Sequence, residues 1–274
     1  MRIAVSSVAF PGVALAELPA RAAEVGAQGL ALTISENGSL PLNALPSVLR
    51  DLQRKCEDAS VQISAIYGYA GRGMLAERLV RENDIELATR CIDVASQLHC
   101  DVVRLFAWKE RPTPDLIDRY VEAARPVATY ATAAGVRLGI PTHHDLAFDP
   151  ASCRKLVTGL GLCSAFIIFN GQSLESDGIE PVSALREMFD VVGQVELKDW
   201  RRSGREVVPM PIQSGEATVM PVVEELAALG FGGWLTLHHL RQHHPELPAL
   251  DPQVSTRVRQ AAARVLERRS HHVQ

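Results

Sequence analysis

The chain lacks the features that mark most specialised classes. No apolar run is long enough to cross a membrane, and Met1-Arg-Ile-Ala-Val passes straight into a strand-like run that leaves no room for a secretory h-region. There is no surplus of basic residues: 28 Lys and Arg stand against 32 Asp and Glu, a net charge of −4. A nucleic-acid surface needs a basic stripe to displace counterions from phosphates, so that class is disfavoured; a small anion held by one or two arginines is not. Cys56, Cys91, Cys100, Cys153 and Cys163 are odd in number and follow no metal or redox spacing, which reads as reduced, buried packing residues in a cytoplasm. No linker, low-complexity tract or charge run divides the sequence. These absences lead us to expect one soluble cytoplasmic domain over 1–274 with a small-molecule substrate and no nucleic-acid or membrane partner; they leave a homo-oligomer open.

What is present is alternation. Short β-branched or apolar runs at Ile3–Ser6, Gly29–Thr33, Gln62–Tyr67, Asp101–Phe106, Val136–Ile140, Ala165–Phe169, Gly193–Leu197 and Trp234–Leu237 read as strands covered on both faces. Amphipathic stretches lie between them, for example 15–25, 45–59, 81–98 and 116–134. Pro150, Pro181 and Pro252 each follow an acidic residue and open a helix, while Gly26, Gly135, Gly159 and Gly230 are placed to close one. Eight strands alternating with eight helical stretches predict an α/β fold, a single (β/α)8 TIM barrel. No Gly-x-Gly-x-x-Gly follows the first strand, so a dinucleotide-binding open sheet loses its main support. The cluster Gly68-Tyr-Ala-Gly-Arg-Gly73 reads as a mobile loop after the third strand.

In such a barrel the C-terminal strand ends converge on one mouth. They carry Ser6 and Ser7, Thr33, Tyr67 and Tyr69, Arg104 and Trp108, Thr142, His143 and His144, Asn170 and Gln172, Glu196, Lys198 and Asp199, and His238 and His239. Polar groups accumulate on the second half, the best sign of a site there. Strand alternation lets only one of the last two histidines point inward, and His238 is the expected one. Arg104 is either an inward partner of a carboxylate such as Glu196 or a clamp for a substrate anion. Asp199 either pairs with Lys198 or caps the following loop.

Three segments carry a family resemblance: Glu196-Leu-Lys-Asp199, Pro211-Ile-Gln-Ser-Gly-Glu216, and Ala228-Leu-Gly-Phe-Gly-Gly-Trp-Leu-Thr-Leu-His238. They resemble the His-x-Lys-Asp, Gly-x-Gly-Glu and final helix–strand segments of the xylose isomerase-like barrels, the sugar phosphate isomerase/epimerase family that also includes endonuclease IV relatives. The resemblance implies a divalent metal held by Glu, Asp, His and Glu at the ends of strands five to eight. The matching positions here are Pro141, Asn170, Glu196 and His238, so the ligand set is degenerate. Either Glu196 and His238, helped by His143 or Asn170, still hold a borderline metal, or the strand ends work without one.

Two functions of different class follow. The first is an isomerase- or epimerase-like enzyme that abstracts a proton next to the carbonyl of a small sugar, cyclitol or related compound. A metal-free lyase or dehydratase would share that step. Glu196 would be the base, its pKa tuned by Lys198 and Arg104. His238 and His143 would relay protons or polarise the carbonyl, and Asn170, Gln172 and Tyr67 would hold hydroxyls, with Trp108 beside them. The second is a non-catalytic barrel that binds a small ligand. Apurinic-site nuclease activity is disfavoured by the charge and the missing three-metal ligand set.

Overall fold

The computed structural model describes residues 1–35, 38–204 and 206–272, with side chains to Arg269. Eight parallel strands close into a barrel: β1 (Arg2–Ser6), β2 (Gly29–Thr33), β3 (Gln62–Tyr67), β4 (Val102–Arg104), β5 (Arg137–Pro141), β6 (Ala165–Phe169), β7 (Val192–Leu197) and β10 (Trp234–Leu237), with β10 lying between β7 and β1. The outer layer is built by α1 (Leu18–Glu24), α2 (Pro46–Asp58), α3 (Arg78–Gln97), α4 (Pro114–Ala133), α5 (Pro150–Leu160), α6 (Gly171–Ser176), α7 (Pro181–Met188), α8 (Val219–Ala228) and α9 (Gln253–His272). The expected (β/α)8 architecture is the observed one. Among the described residues no helix is long and apolar enough to cross a membrane.

The strands are apolar on both faces because each face meets a different core. Outward residues such as Leu30, Leu32, Ile66, Val103, Leu138, Ile140, Ile167, Val195, Leu235 and Leu237 are buried against the helices. Each such side chain contributes roughly 1.5–3 kcal/mol of burial. A second, smaller cluster of Ala31, Ala65, Tyr67, Val102, Phe166 and Ile168 fills the barrel interior. Because alternate residues face inward, a parity fixed low in a strand reaches its C-terminal end unchanged.

Helix starts follow local chemistry. Thr113 accepts a hydrogen bond from the Leu116 N–H, Asp149 and Ser152 form a capping box, and the Glu180 carboxylate accepts from Val182 and Ser183. Gly159 differs from expectation. It lies inside α5, where a Cβ would come within 2.8 Å of Val121 on α4, so it allows two helices to approach. The helix closes instead at Gly161, with φ +100°.

Four further features differ from expectation. β4 is only three residues long, because Phe106 turns to donate its N–H to Ala70 O at 2.8 Å in the glycine-rich loop. That loop is anchored: the N–H groups of Gly71 and Gly73 both reach Asp84 Oδ2 at 2.9 Å. Gly71 has φ +110°, and a Cβ there would meet the Phe106 carbonyl at 1.8 Å. Between β7 and α8 the chain adds an antiparallel hairpin, β8 (Asp199–Ser203) and β9 (Glu206–Met210), which the strand count leaves out. The five cysteines are free as expected, but Cys163 is exposed, in the turn between α5 and β6.

Candidate active site

The site grows from the parity of two neighbouring strands. Trp234 pairs with Gln194 and Thr236 with Glu196, so Gln194, Glu196 and Lys198 share the inward face with Trp234, Thr236 and His238. Across the barrel the Gln194 amide donates to Ser64 O at 2.8 Å, which fixes that face as the interior. His238 is inward. His239 points away and shares a hydrogen bond with Pro248 O at 2.8 Å.

Glu196 is buried at the centre of a charge cluster. Lys198 Nζ stands 2.8 Å from its Oε2, Arg104 Nη1 3.6 Å from Oε1, and His238 Nδ1 3.9 Å from Oε1. Burial alone would raise the carboxyl pKa. Lys198, His238 and Arg104 together overcome it and hold the group well below the usual carboxylate range. The His238 imidazole is pushed down to about 3, chiefly by burial, against the opposing pull of Glu196. At neutral pH this is a carboxylate between two cations and a neutral ring.

Arg104 is held from several sides. Its Nε and Nη2 donate to Gly68 O at 3.4 and 3.3 Å, and its guanidinium carbon lies 4.3 Å from the centre of the Tyr67 ring and 4.7 Å from that of Phe106. Tyr67 is wholly inside the barrel, its ring 5.7 Å from that of His238. Its hydroxyl lies beside Thr236 and Glu196, while those of Ser6 and Thr33 have no hydrogen-bond partner. Burial raises the phenol further, and Glu196 adds to the effect.

The remaining expected residues divide. Asn170 is buried, donates its amide to Ser173 Oγ at 2.9 Å and leaves Oδ1 without a partner. Gln172, at the start of α6, lines a narrow cleft with Glu196, Lys198 and Thr218 whose room is about 10 Å³, close to one water. His143 sits at the rim, its ring edge-on to Phe106, and is pushed down to about 4 by burial first and then by Lys198. Trp108 is drawn away, its indole N–H committed to Glu110 at 2.9 Å.

Asp199 resolves towards the loop. It accepts the N–H groups of Trp200, Gly215 and Ala217 at 2.7, 2.9 and 3.0 Å. Two groups escaped sequence reasoning. Asp145 lies 3.7 Å from His143 Nδ1 and is pushed up to about 6 by burial; its signal was adjacency to two histidines. Asp177 accepts from Arg111 at 2.8 Å and lies 2.6 Å from His144 Nδ1, tying three loops of the rim. Nothing in the sequence pattern links those three positions.

The donor set does not fit the metal that the resemblance implies. Pro141 offers no side-chain ligand, Asn170 only a neutral amide, and Glu196 is already engaged by Lys198 and Arg104. Among the described residues no group of three or more His, Cys, Asp or Glu is arranged to hold a metal ion.

Comparison with known proteins places this geometry. The sequence pattern described as xylose isomerase-like TIM barrel matches residues 19–261. No curated protein matches the sequence. Among solved structures, a D-tagatose 3-epimerase-like protein superposes with a TM-score of 0.74 at 15% identity over 100% of both chains. An L-ribulose 3-epimerase gives 0.73 at 18% identity, over 93% of this chain and 85% of that one. The probable 3-DHS dehydratase AsbF of Bacillus anthracis gives 0.73 at 15%, over 87% and 92%. At these identities the likeness is one of fold.

Proposed function

The chain belongs to the xylose isomerase-like TIM-barrel family, and from that premise we propose an isomerase- or epimerase-like enzyme that abstracts a proton next to the carbonyl of a small sugar, cyclitol or related compound, without a metal. One observation carries the reading: at the barrel mouth a buried carboxylate lies within 2.8 Å of an ammonium and 3.6 Å of a guanidinium, beside a neutral imidazole. Proton abstraction next to a carbonyl needs a base and a positive partner for the enolate oxygen.

In the resting arrangement Glu196 is too well stabilised to be a strong base. A substrate oxygen that binds Lys198 and Arg104 takes those partners over. The carboxylate then loses the interactions that hold its pKa down, while its burial remains. The base is thus switched on by the same contact that places the carbonyl. The neutral His238 carries one N–H to polarise the carbonyl, and the free Oδ1 of Asn170 and the cleft beside Gln172 offer hydrogen bonds to substrate hydroxyls. His143 and Asp145 stand at the rim as a second proton-carrying pair.

The test is exchange of the carbon-bound proton with solvent deuterium, followed by NMR over a panel of ketoses, cyclitols and keto acids, with and without chelator. Exchange that survives chelation and is lost in Glu196→Gln supports the reading; absence of exchange across the panel refutes it. Asp145 favours one variant. A carboxyl that burial pushes up to about 6, standing 3.7 Å from His143 Nδ1 at the rim, is suited to protonate a departing hydroxyl, which would turn abstraction into β-elimination. Loss of water from the product, seen by mass spectrometry, would select that lyase form.

A further inference from the structure

The charge of the mouth bears on what kind of molecule enters it. One carboxylate, Glu196, faces two basic side chains, Lys198 and Arg104. A third, the exposed Arg72, lies with its guanidinium carbon 4.0 Å from the centre of the Phe106 ring, against which His143 also packs, and acts on Asp145. The neighbouring carboxylates are engaged elsewhere. Asp199 binds the N–H groups of Trp200, Gly215 and Ala217; Asp145 binds the Ala147 N–H beside His143; Asp84 binds Gly71 and Gly73. β5 ends in the uncharged Pro141, and β6 is followed by the uncharged Asn170. Arg104 is buried and Lys198 only 14% exposed, so both shed much of their water, and one carboxylate balances only one of them.

We infer that the ligand of this mouth is a small anion, whose carboxylate or phosphate oxygen supplies the missing negative charge at Lys198 and Arg104. The inference deepens the proton-abstraction reading and rests on it only for the location of the site. Arg104 gives Nε and Nη2 to Gly68 O, and its Nη1, 3.6 Å from Glu196 Oε1, is the donor that a ligand oxygen would share with the carboxylate. The Lys198 side chain is 14% exposed against 1% for Glu196, and it borders the cleft with Gln172. An arriving oxyanion therefore meets the ammonium before the carboxylate. A neutral polyol offers hydrogen bonds there but no charge.

The probes are oxalate, inorganic phosphate and D-fructose, added to the full chain at low ionic strength and followed by melting temperature and histidine-selective NMR. Oxalate or phosphate should raise the melting temperature and shift the His238 and His143 resonances. Lys198→Gln should weaken that binding at least about tenfold, as for loss of a charge-assisted contact. A response to oxalate alone marks a carboxylate ligand, and one to phosphate alone a phosphate ester. D-fructose binding with no response to either anion overturns the inference. So does anion binding that leaves both histidines unmoved. Should Lys198→Gln fail to fold by circular dichroism, the wild-type NMR titration decides. Anion binding without deuterium exchange of any substrate would sink the proton-abstraction reading and leave this inference standing. Exchange of neutral ketoses with no anion binding would do the opposite.

Discussion

Two clusters at the same end of the barrel are built from nearly the same parts. Glu196 gathers Arg104, Lys198 and His238; Asp177 gathers Arg111 and His144. Their surroundings differ. The Glu196 side chain is 1% exposed, with partners Arg104 and His238 at 6% and 7%, whereas Asp177 is 14% exposed and Arg111 and His144 are 52% and 45%. Water screens the second set, so its charges trade solvent for each other at little gain. In the first set Lys198 keeps 14% exposure, but Glu196, Arg104 and His238 have little access to water and depend on one another. The comparison teaches that residue types do not make a site; burial of an incompletely balanced charge does.

The largest expected effect tests that dependence. Arg104→Leu removes one of two cations from a buried carboxylate and should cost about 3–5 kcal/mol of stability. At roughly 2–4 °C per kcal/mol for a chain of this class, a fall in melting temperature of about 6 °C or more is expected. An unchanged melting temperature would erase the distinction between the two clusters.

Next comes Glu196→Gln, which keeps shape and loses charge. A rate loss of about 10²-fold or more with substrate affinity little changed is expected for a positioned base. Bound metal should be below stoichiometric in both proteins, measured by elemental analysis after purification without chelator. Release of a stoichiometric metal by the substitution would make Glu196 a ligand instead.

The third prediction concerns acid. Burial pushes His238 down to about 3 and His143 to about 4, below the free value of 6.5, so the unfolded chain takes up protons that the fold refuses. Their contribution to stability is complete above pH 6.5 and is lost as pH falls through about 4 and then 3. Asp145, raised by burial to about 6, works in the other direction: its contribution is present below 3.8 and lost as pH rises through about 6. Two histidines outweigh one aspartate, and the lowered Glu196 adds to the acid-side loss below its free value of 4.5. The melting temperature should therefore drop between pH 6.5 and 4. His238→Gln should flatten that drop by up to about 1.4 kcal/mol per pH unit, the value of one proton. An identical pH profile for the variant would show that His238 is protonated in the fold.

The smallest effect belongs to the exposed cluster. Asp177→Asn should change stability by no more than about 1 kcal/mol, read from urea denaturation. A loss as large as that of Arg104→Leu would mean that the rim is as tightly bound as the centre.

Much of this arrangement was legible in the sequence, and the reason is parity. Once β7 and β10 are recognised as strands, Glu196 and Lys198 must share a face and only one of His238 and His239 can point inward; the pairing of Thr236 with Glu196 makes it His238, as expected. The helix starts at Pro150 and Pro181 were readable from the acids before them. What escaped depends on distance across the fold. The reach of Arg104 from β4 to Glu196 on β7 depends on barrel tilt and stagger, which no local pattern encodes. The Asp177 cluster joins residues from three separate loops. The β8–β9 hairpin was missed although Ser203-Gly204 is a turn signal, because its strands are half exposed and carry no long apolar run. Glu196 was expected as a tunable base; its low pKa follows from three close partners that only the folded chain brings together.

The three backbone bonds of Asp199 have a consequence for how the protein can be altered. They fasten residue 199 to 215 and 217, so the hairpin between them is a loop closed at its own base. With the base fixed in this way, changes at the tip, near Ser203 and Gly204, are expected to stay local. Residues inserted at that tip should therefore be tolerated with the barrel mouth intact. The hairpin is a place where a relative of this chain could acquire a new recognition element, or an engineer could graft one, without rebuilding the chemistry one residue upstream.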